Sequence, residues 1–187
     1  MQRTDRLVMR GFTDDDRDAF AALNADPVVM EHFQFPLDRA GSDAFVDRIA
    51  ACWSERGWGL WAIEVPGVSP FVGYVGLWPA EYVAPGTIEV GWRLAHEAWG
   101  HGYAPEAAAE SLRFGFEQVG LDEIVSFTVP QNSNSWRVME KIGLRRRPER
   151  DYDHPNVDAD AHPHLVRHVF YALTADEWRA DRAAAGR

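Results

Sequence analysis

Cysteine is almost absent from this chain. Cys52 stands alone, which excludes an intramolecular disulfide and any multi-cysteine metal site. No stretch approaches the ~18–20 consecutive apolar residues that a membrane span needs. The opening Met1-Gln2-Arg3-Thr4-Asp5-Arg6 is followed by too short an apolar run for a secretion signal, and together these features favour the cytoplasm. Basic charge is scarce as well: 19 Lys and Arg against 29 Asp and Glu leave a net charge of −10. Contacts to nucleic-acid phosphates need clustered Lys and Arg. The one dense basic run, Arg145-Arg146-Arg147 near Arg150, is interrupted by Glu149 and Asp151. Neither a nucleic-acid nor a membrane partner is expected.

What is present reads as a folded domain. At 187 residues, 46% hydrophobic and 26% charged, the chain is one domain over 1–187, with a core of about 5–178. An acidic surface suits a cationic ligand such as an amine, and serves solubility equally well. Eight Trp and ten Phe are many for this length. Phe33, Phe35, Trp53, Trp58 and Trp61 are expected to wall a cleft, although aromatics at such spacings are more often core.

The pattern of elements begins with a strand over 6–10. Thr13 then caps a helix with Asp16 three residues on, and Asp26-Pro27 signals a second short helix. A third is expected from Ser42 to Gly57. Strands follow at 58–65 and 71–78, with Pro66-Gly67 as the turn, and at 87–94, where Ile88, Val90 and Trp92 alternate with Glu89, Gly91 and Arg93. A helix from about Pro105 to Val119, a strand over 123–129 and a helix over 132–142 come next. Strands over 144–147 and 167–173 flank a polar loop rich in His and Pro. Thr174 and Glu177 cap a terminal helix whose last residues, 183–187, are expected to fray. This mixed order implies an α/β (α+β) fold around one central sheet.

Between strand and helix stands Trp99-Gly100-His101-Gly102-Tyr103. A glycine turn leading into a helix start aims backbone N–H groups and the positive end of a helix dipole at one spot, which suits a phosphate or pyrophosphate. Taken alone, such spacing also describes an ordinary tight turn. The His-rich loop, with His154, His162, His164 and His168, lacks the spacing of a metal site, so no metal is expected. It reads better as a substrate-facing loop, with Tyr152 and His154 as polar contacts.

Four stretches, "TDRLVMRGFTDDDRDAFAALNADPVVM", "IEVGWRL" with "WGHGYAPEAAAESLRFGFEQVGL", "NSNSWRVMEKIGL" and "RHVFYALTADEW", make nearly the whole chain resemble the GNAT superfamily of acyl-CoA-dependent N-acyltransferases. The likeness extends to the branch that includes ribosomal-protein N-terminal acetyltransferases. It implies a mixed, mostly antiparallel sheet flanked by helices and splayed between its fourth and fifth strands. It implies acetyl-CoA as co-substrate and a primary amine as acceptor, either small-molecule or peptide. Trp92, Arg93 and Leu94 would offer main-chain groups to the pantetheine arm, and Trp99, Gly100, His101, Gly102, Tyr103 and Ala104 would wrap the pyrophosphate. Glu97 stands where the family has Gln or Arg and is expected to point outward. Glu89 matches a common general base, whose alternative is an exposed acid or ion-pair partner. Asn132 matches a pantetheine-binding residue, and Ser135 the acid that protonates the leaving thiolate; both compete with plain helix capping. Met139 replaces the Tyr that many members use as that acid. With Glu97, it keeps open a second reading, an acyl-CoA-binding module without turnover. The assembly is expected to be a monomer or homodimer.

Overall fold

The computed structural model describes residues 1–185. It comprises two compact units, one of Met1–Trp78 with Gly91–Glu110 and one of Pro79–Val90 with Ser111–Arg187.

In the first unit, β1 (Gln2–Arg3) pairs antiparallel with β2 (Val8–Arg10). The backbone N–H and hydroxyl of Thr13 both donate to Asp16 Oδ2, at 2.7 and 3.0 Å, so the expected cap forms. Arg10 adds two bonds of 2.7 Å to the same carboxylate, fastening β2 to the start of α1 (Arg17–Ala25). The helix expected at Asp26-Pro27 is absent. Residues 27–32 form turns instead, with Asp26 Oδ1 accepting from Val28 N–H at 2.8 Å and Met30 N–H bonding Asp26 O at 2.9 Å. One turn containing two adjacent β-branched residues gains too few bonds to offset helix nucleation.

The next helix, α2 (Arg39–Arg56), starts three residues before Ser42 because Asp38 Oδ1 accepts from Gly41 N–H at 2.7 Å. It ends as expected at Gly57, whose φ of 74° is left-handed. Along α2, Cys52 is only 7% exposed and burial pushes its thiol up. β3 (Leu60–Glu64) runs antiparallel to β2 and to β4 (Gly73–Pro79). Trp61 is fully buried with Trp53 edge-on at 5.4 Å, and Trp58 is buried too. These three indoles are core, not cleft wall; only Phe33 and Phe35 of the expected aromatics are exposed, at 42% and 61%. Phe20, Leu23, Val46, Ile49, Leu60 and Tyr74 form the centre of this unit, with Phe45 and Phe71 against them.

β5 (Ile88–Leu94) begins in the second unit and ends in the first. A Cβ on Gly73, at φ 130°, would lie 2.2 Å from Arg93 O, so β4 can approach the end of β5 only as glycine. α3 (Tyr103–Phe114) starts two residues earlier than expected and continues into one π-helical turn, Gly115–Val119, closed by left-handed Gly120.

In the second unit, β6 (Glu123–Thr128) lies parallel to β5, with Glu89 opposite Val125. α4 (Ser133–Lys141) is followed by β7 (Arg145–Arg146), β8 (Tyr152–Asp153) and β9 (Arg167–Thr174). β9 pairs antiparallel with β6, β7 and β8. The two-residue β8 lies in the His- and Pro-rich stretch, where no alternation announces a strand. Thr174 and Glu177 exchange bonds of 3.0 and 3.2 Å to open α5 (Ala175–Ala185), as expected. Of the tail expected to fray, Ala183–Ala185 are helical, and Gly186 and Arg187 lie outside the described residues.

The strand order is β1-β2-β3-β4-β5-β6-β9-β7, with β8 on β9. Antiparallel pairs predominate and β5–β6 is parallel, the place where the splay was expected. The fold is the mixed, mostly antiparallel open sheet with helices that the sequence implied.

Candidate active site

The glycine turn lies in the first unit. After β5 a single 3-10 turn, His96–Ala98, leads to Trp99, whose indole N–H donates to Leu94 O at 2.8 Å. That bond occupies one of the main-chain groups expected to meet the pantetheine arm. Gly100 and Gly102 have φ of 78° and 81°, whereas His101 between them keeps an ordinary negative φ. Alternation of that kind turns successive N–H groups toward one concavity. The first N–H groups of α3 have no intrahelical acceptor, and the earliest bond into the helix runs from Glu106 N–H to Gly102 O at 3.2 Å. Pro105 sits where a missing N–H costs nothing. Glu97 is exposed. The donors therefore fit an anionic diphosphate, through backbone rather than side-chain charge.

Sequence reasoning missed the brace behind this turn. Arg6 donates to His101 O at 2.9 Å and to Glu106 Oε2 at 2.7 Å, and its backbone N–H bonds Glu106 Oε1 at 3.0 Å. Its guanidinium also lies 5.2 Å over the Tyr103 ring, which stacks on His101 at 5.4 Å. Burial alone would raise the Glu106 carboxyl, but the bonds from Thr4 and Arg6 outweigh it and hold the group low. Nothing in the pattern around Arg6 signalled a contact with residues 101–106.

Glu89 lies in the second unit. It retains a partial opening to solvent, yet burial pushes its carboxyl up to about 8. No ion pair to it exists among the described residues, so the ion-pair alternative fails. Tyr82 and Tyr152 are raised first by burial and then by the charge of Glu89, which places both phenols beside it. The rings continue as a wall: Tyr82 to His154 at 4.8 Å, His154 to His168 at 4.9 Å, Tyr152 to Phe127 at 5.5 Å and Tyr152 to His168 at 5.6 Å. Burial lowers both imidazoles, His168 to about 4, so the wall is uncharged at neutral pH. The Tyr152 hydroxyl is buried, with the Tyr82 hydroxyl as its polar neighbour. Tyr152 and His154 were expected to face a ligand; Tyr82 and Phe127 were not. Among the described residues no His, Cys, Asp and Glu cluster is placed to hold a metal.

Asn132 is the N-cap of α4. Its Oδ1 accepts from Ser135 N–H at 3.2 Å and its Nδ2 donates to Thr128 Oγ1 at 3.1 Å. Ser135 stands half-buried in the first turn, and Met139 is 1% exposed in the core rather than presenting a polar group.

Comparison with known proteins gives the family. The family described as "Acetyltransferase (GNAT) domain" matches residues 6–145, and the chain belongs to that family of acetyltransferases, which take their acetyl group from acetyl-CoA. A Bacillus subtilis (strain 168) protein, YkkB, is 33% identical over 147 residues, 75% of this chain and 83% of its own length. The solved GNAT acetyltransferase of Bacillus anthracis superposes with a TM-score of 0.75 at 26% identity, covering 94% of this chain and 98% of that one. A structure titled a putative ribosomal-protein-serine acetyltransferase, from Vibrio cholerae, shares the fold at 16% identity and a TM-score of 0.70, covering 92% and 95%. Among the described residues no helix is long and apolar enough to cross a membrane.

Proposed function

We propose that residues 1–187 form a single catalytic domain that transfers an acetyl group from acetyl-CoA to a primary amine, either a small molecule or a peptide N-terminus. The reading rests above all on Glu89. A carboxyl raised to about 8 is matched to an ammonium group far better than an ordinary carboxylate, so its ionised form takes the proton that frees the amine lone pair. Tyr82, Phe127 and Tyr152 offer π faces to a cationic or amphipathic amine beside that carboxylate. Two neutral imidazoles nearby add no repelling charge.

The bound thioester supplies the acyl group. Main-chain N–H groups of Trp99 to Ala104 and the start of α3 hold the diphosphate, Trp92 to Leu94 offer backbone groups to the pantetheine arm, and the family resemblance assigns Asn132 to that arm as well. Direct attack by the amine forms the C–N bond as the C–S bond breaks. Ser135 or a water then gives the departing sulfur a proton, which the second proton shed by the acylated nitrogen replaces. Cys52 is buried in α2 and takes no part, so no covalent enzyme intermediate forms. A cytoplasmic monomer or homodimer completes the reading.

Thiol release from acetyl-CoA, measured across polyamines, amino acids, aminoglycosides and short peptides, tests it. Turnover with a primary amine and none with the matching tertiary amine is the expected result. Silence across the whole panel would overturn the assignment.

A further inference from the structure

The first unit buries a cation without an opposite charge. Arg93, in β5, is 8% exposed, and no carboxylate lies within ion-pair distance of it among the described residues. Its Nη1 donates to Asn24 Oδ1, and Asn24 in turn donates to Ser42 Oγ at 2.9 Å, which fixes the amide with its oxygen toward the guanidinium. The buried Nε has no partner. Aromatic rings cover the guanidinium: Phe33 at 4.1 Å, Tyr74 at 5.6 Å and Phe45 at 6.0 Å from Cζ.

Rings attract the face of a guanidinium but leave its in-plane N–H donors unmet. Buried charges are ordinarily paired, and an unpaired one is costly. The edge that carries Nε has the fork geometry that accepts a carboxylate through two parallel bonds. A single guanidinium balances a monoanion, whereas a phosphate dianion would leave excess charge in an apolar setting. Phe33 is partly exposed, so the ring against the guanidinium also borders solvent.

We propose that Arg93 is an anion-receiving residue, binding the carboxylate of a small molecule whose body is aromatic or branched apolar. Asn24 orients the guanidinium, and Phe33, the ring that borders solvent, packs the apolar body. The site concerns binding alone and goes beyond the acetyl-transfer reading.

The test is an NMR titration of protein carrying 15N-labelled arginine, with benzoate as probe and benzamide as the neutral control. The Arg93 Nε–H signal is assigned by its loss in Arg93→Met. Benzoate is expected to shift that signal saturably while benzamide leaves it in place. Backbone amides of Asn24 and Phe33 should report binding weakened about tenfold or more in Arg93→Met, and partly retained in Arg93→Lys, which keeps charge but not the fork. An absent shift, an equal response to benzamide, or unchanged affinity in Arg93→Met would overturn the proposal. If Arg93→Met does not fold, the wild-type and Arg93→Lys titrations decide alone. Turnover of amino acids against their amides separates two sources: preference for the acid marks the acceptor's own carboxylate, and equal rates mark a separate ligand. Failure of every amine to turn over would sink the acetyl-transfer reading and leave the titration intact.

Discussion

The side-chain oxygen of Asn132 accepts from the backbone N–H of Ser135 at 3.2 Å, tying together as a helix cap two residues that the family resemblance assigned to cofactor and catalysis. With Nδ2 on Thr128, both ends of the Asn132 amide are engaged. Asn132→Ala is therefore expected to lower unfolding stability by about 1 kcal/mol, whereas Asn132→Asp, an equally good cap, should lose less. Urea denaturation of the two variants measures this, and equal losses would contradict the capping role.

As the proposed base, Glu89 would set the pH dependence. With its carboxyl at about 8, kcat/KM should rise with pH through that value, because only the ionised form accepts a proton. Glu89→Gln is expected to reduce kcat/KM roughly 100-fold and to flatten the rising limb. An unchanged profile between pH 6 and 9.5 would remove Glu89 from the base role. The same burial has a stability signature. Because the folded state holds this proton more tightly than the unfolded chain, the contribution of Glu89 is present below about 4.5 and lost as pH rises to about 8. Glu89→Gln should gain stability over wild type across that window.

At Gly73 space and backbone conformation agree. A Cβ would stand 2.2 Å from Arg93 O and 2.7 Å from Leu94 Cα, at φ 130°. Gly73→Ala is expected to cost on the order of 3 kcal/mol or more. A Cβ at Gly11 would meet nothing within 4 Å, and the backbone there has no positive φ, so Gly11→Ala should stay within about 0.5 kcal/mol. Thermal unfolding of the pair is the measurement; similar losses would show that the approach of β4 to β5 is not the constraint.

The terminal cap governs acid behaviour. Burial raises the Glu177 carboxyl, but bonds from Arg147, Thr174 N–H and Arg145 outweigh it and bring the group to about 2. A carboxylate lowered on folding stabilises above its unfolded value and loses that contribution as pH falls through its folded one. Wild type should thus lose stability from Glu177 between about pH 4.5 and 2, and Glu177→Gln should show a shallower decline there. Identical pH curves would contradict the assignment.

Where local signals decide structure, the chain was readable. Caps at Thr13 and Thr174, the stop at Gly57, and the alternation of Ile88, Val90 and Trp92 all correspond to elements in place. The Asp26-Pro27 start failed because a cap signal does not say whether a helix will propagate. β8 failed because two residues carry no period. At the site, the glycine turn was legible from spacing, since φ above zero at Gly100 and Gly102 is a local requirement. The brace from Arg6 and the buried setting of Arg93 depend on contacts distant in sequence, which no local pattern encodes. The three indoles Trp53, Trp58 and Trp61 show the converse: aromatic abundance marks burial, and does not distinguish a core from a cleft.

Cys52 bears on how such activity is best followed. Because the only thiol of the chain is buried in α2 and its ionisation suppressed, the folded protein offers almost no thiolate to a disulfide-exchange dye. Colour that develops with such a reagent in the native mixture comes from liberated coenzyme. A slow baseline drift in the absence of amine then counts molecules that have unfolded, so one cuvette follows both turnover and loss of the native state.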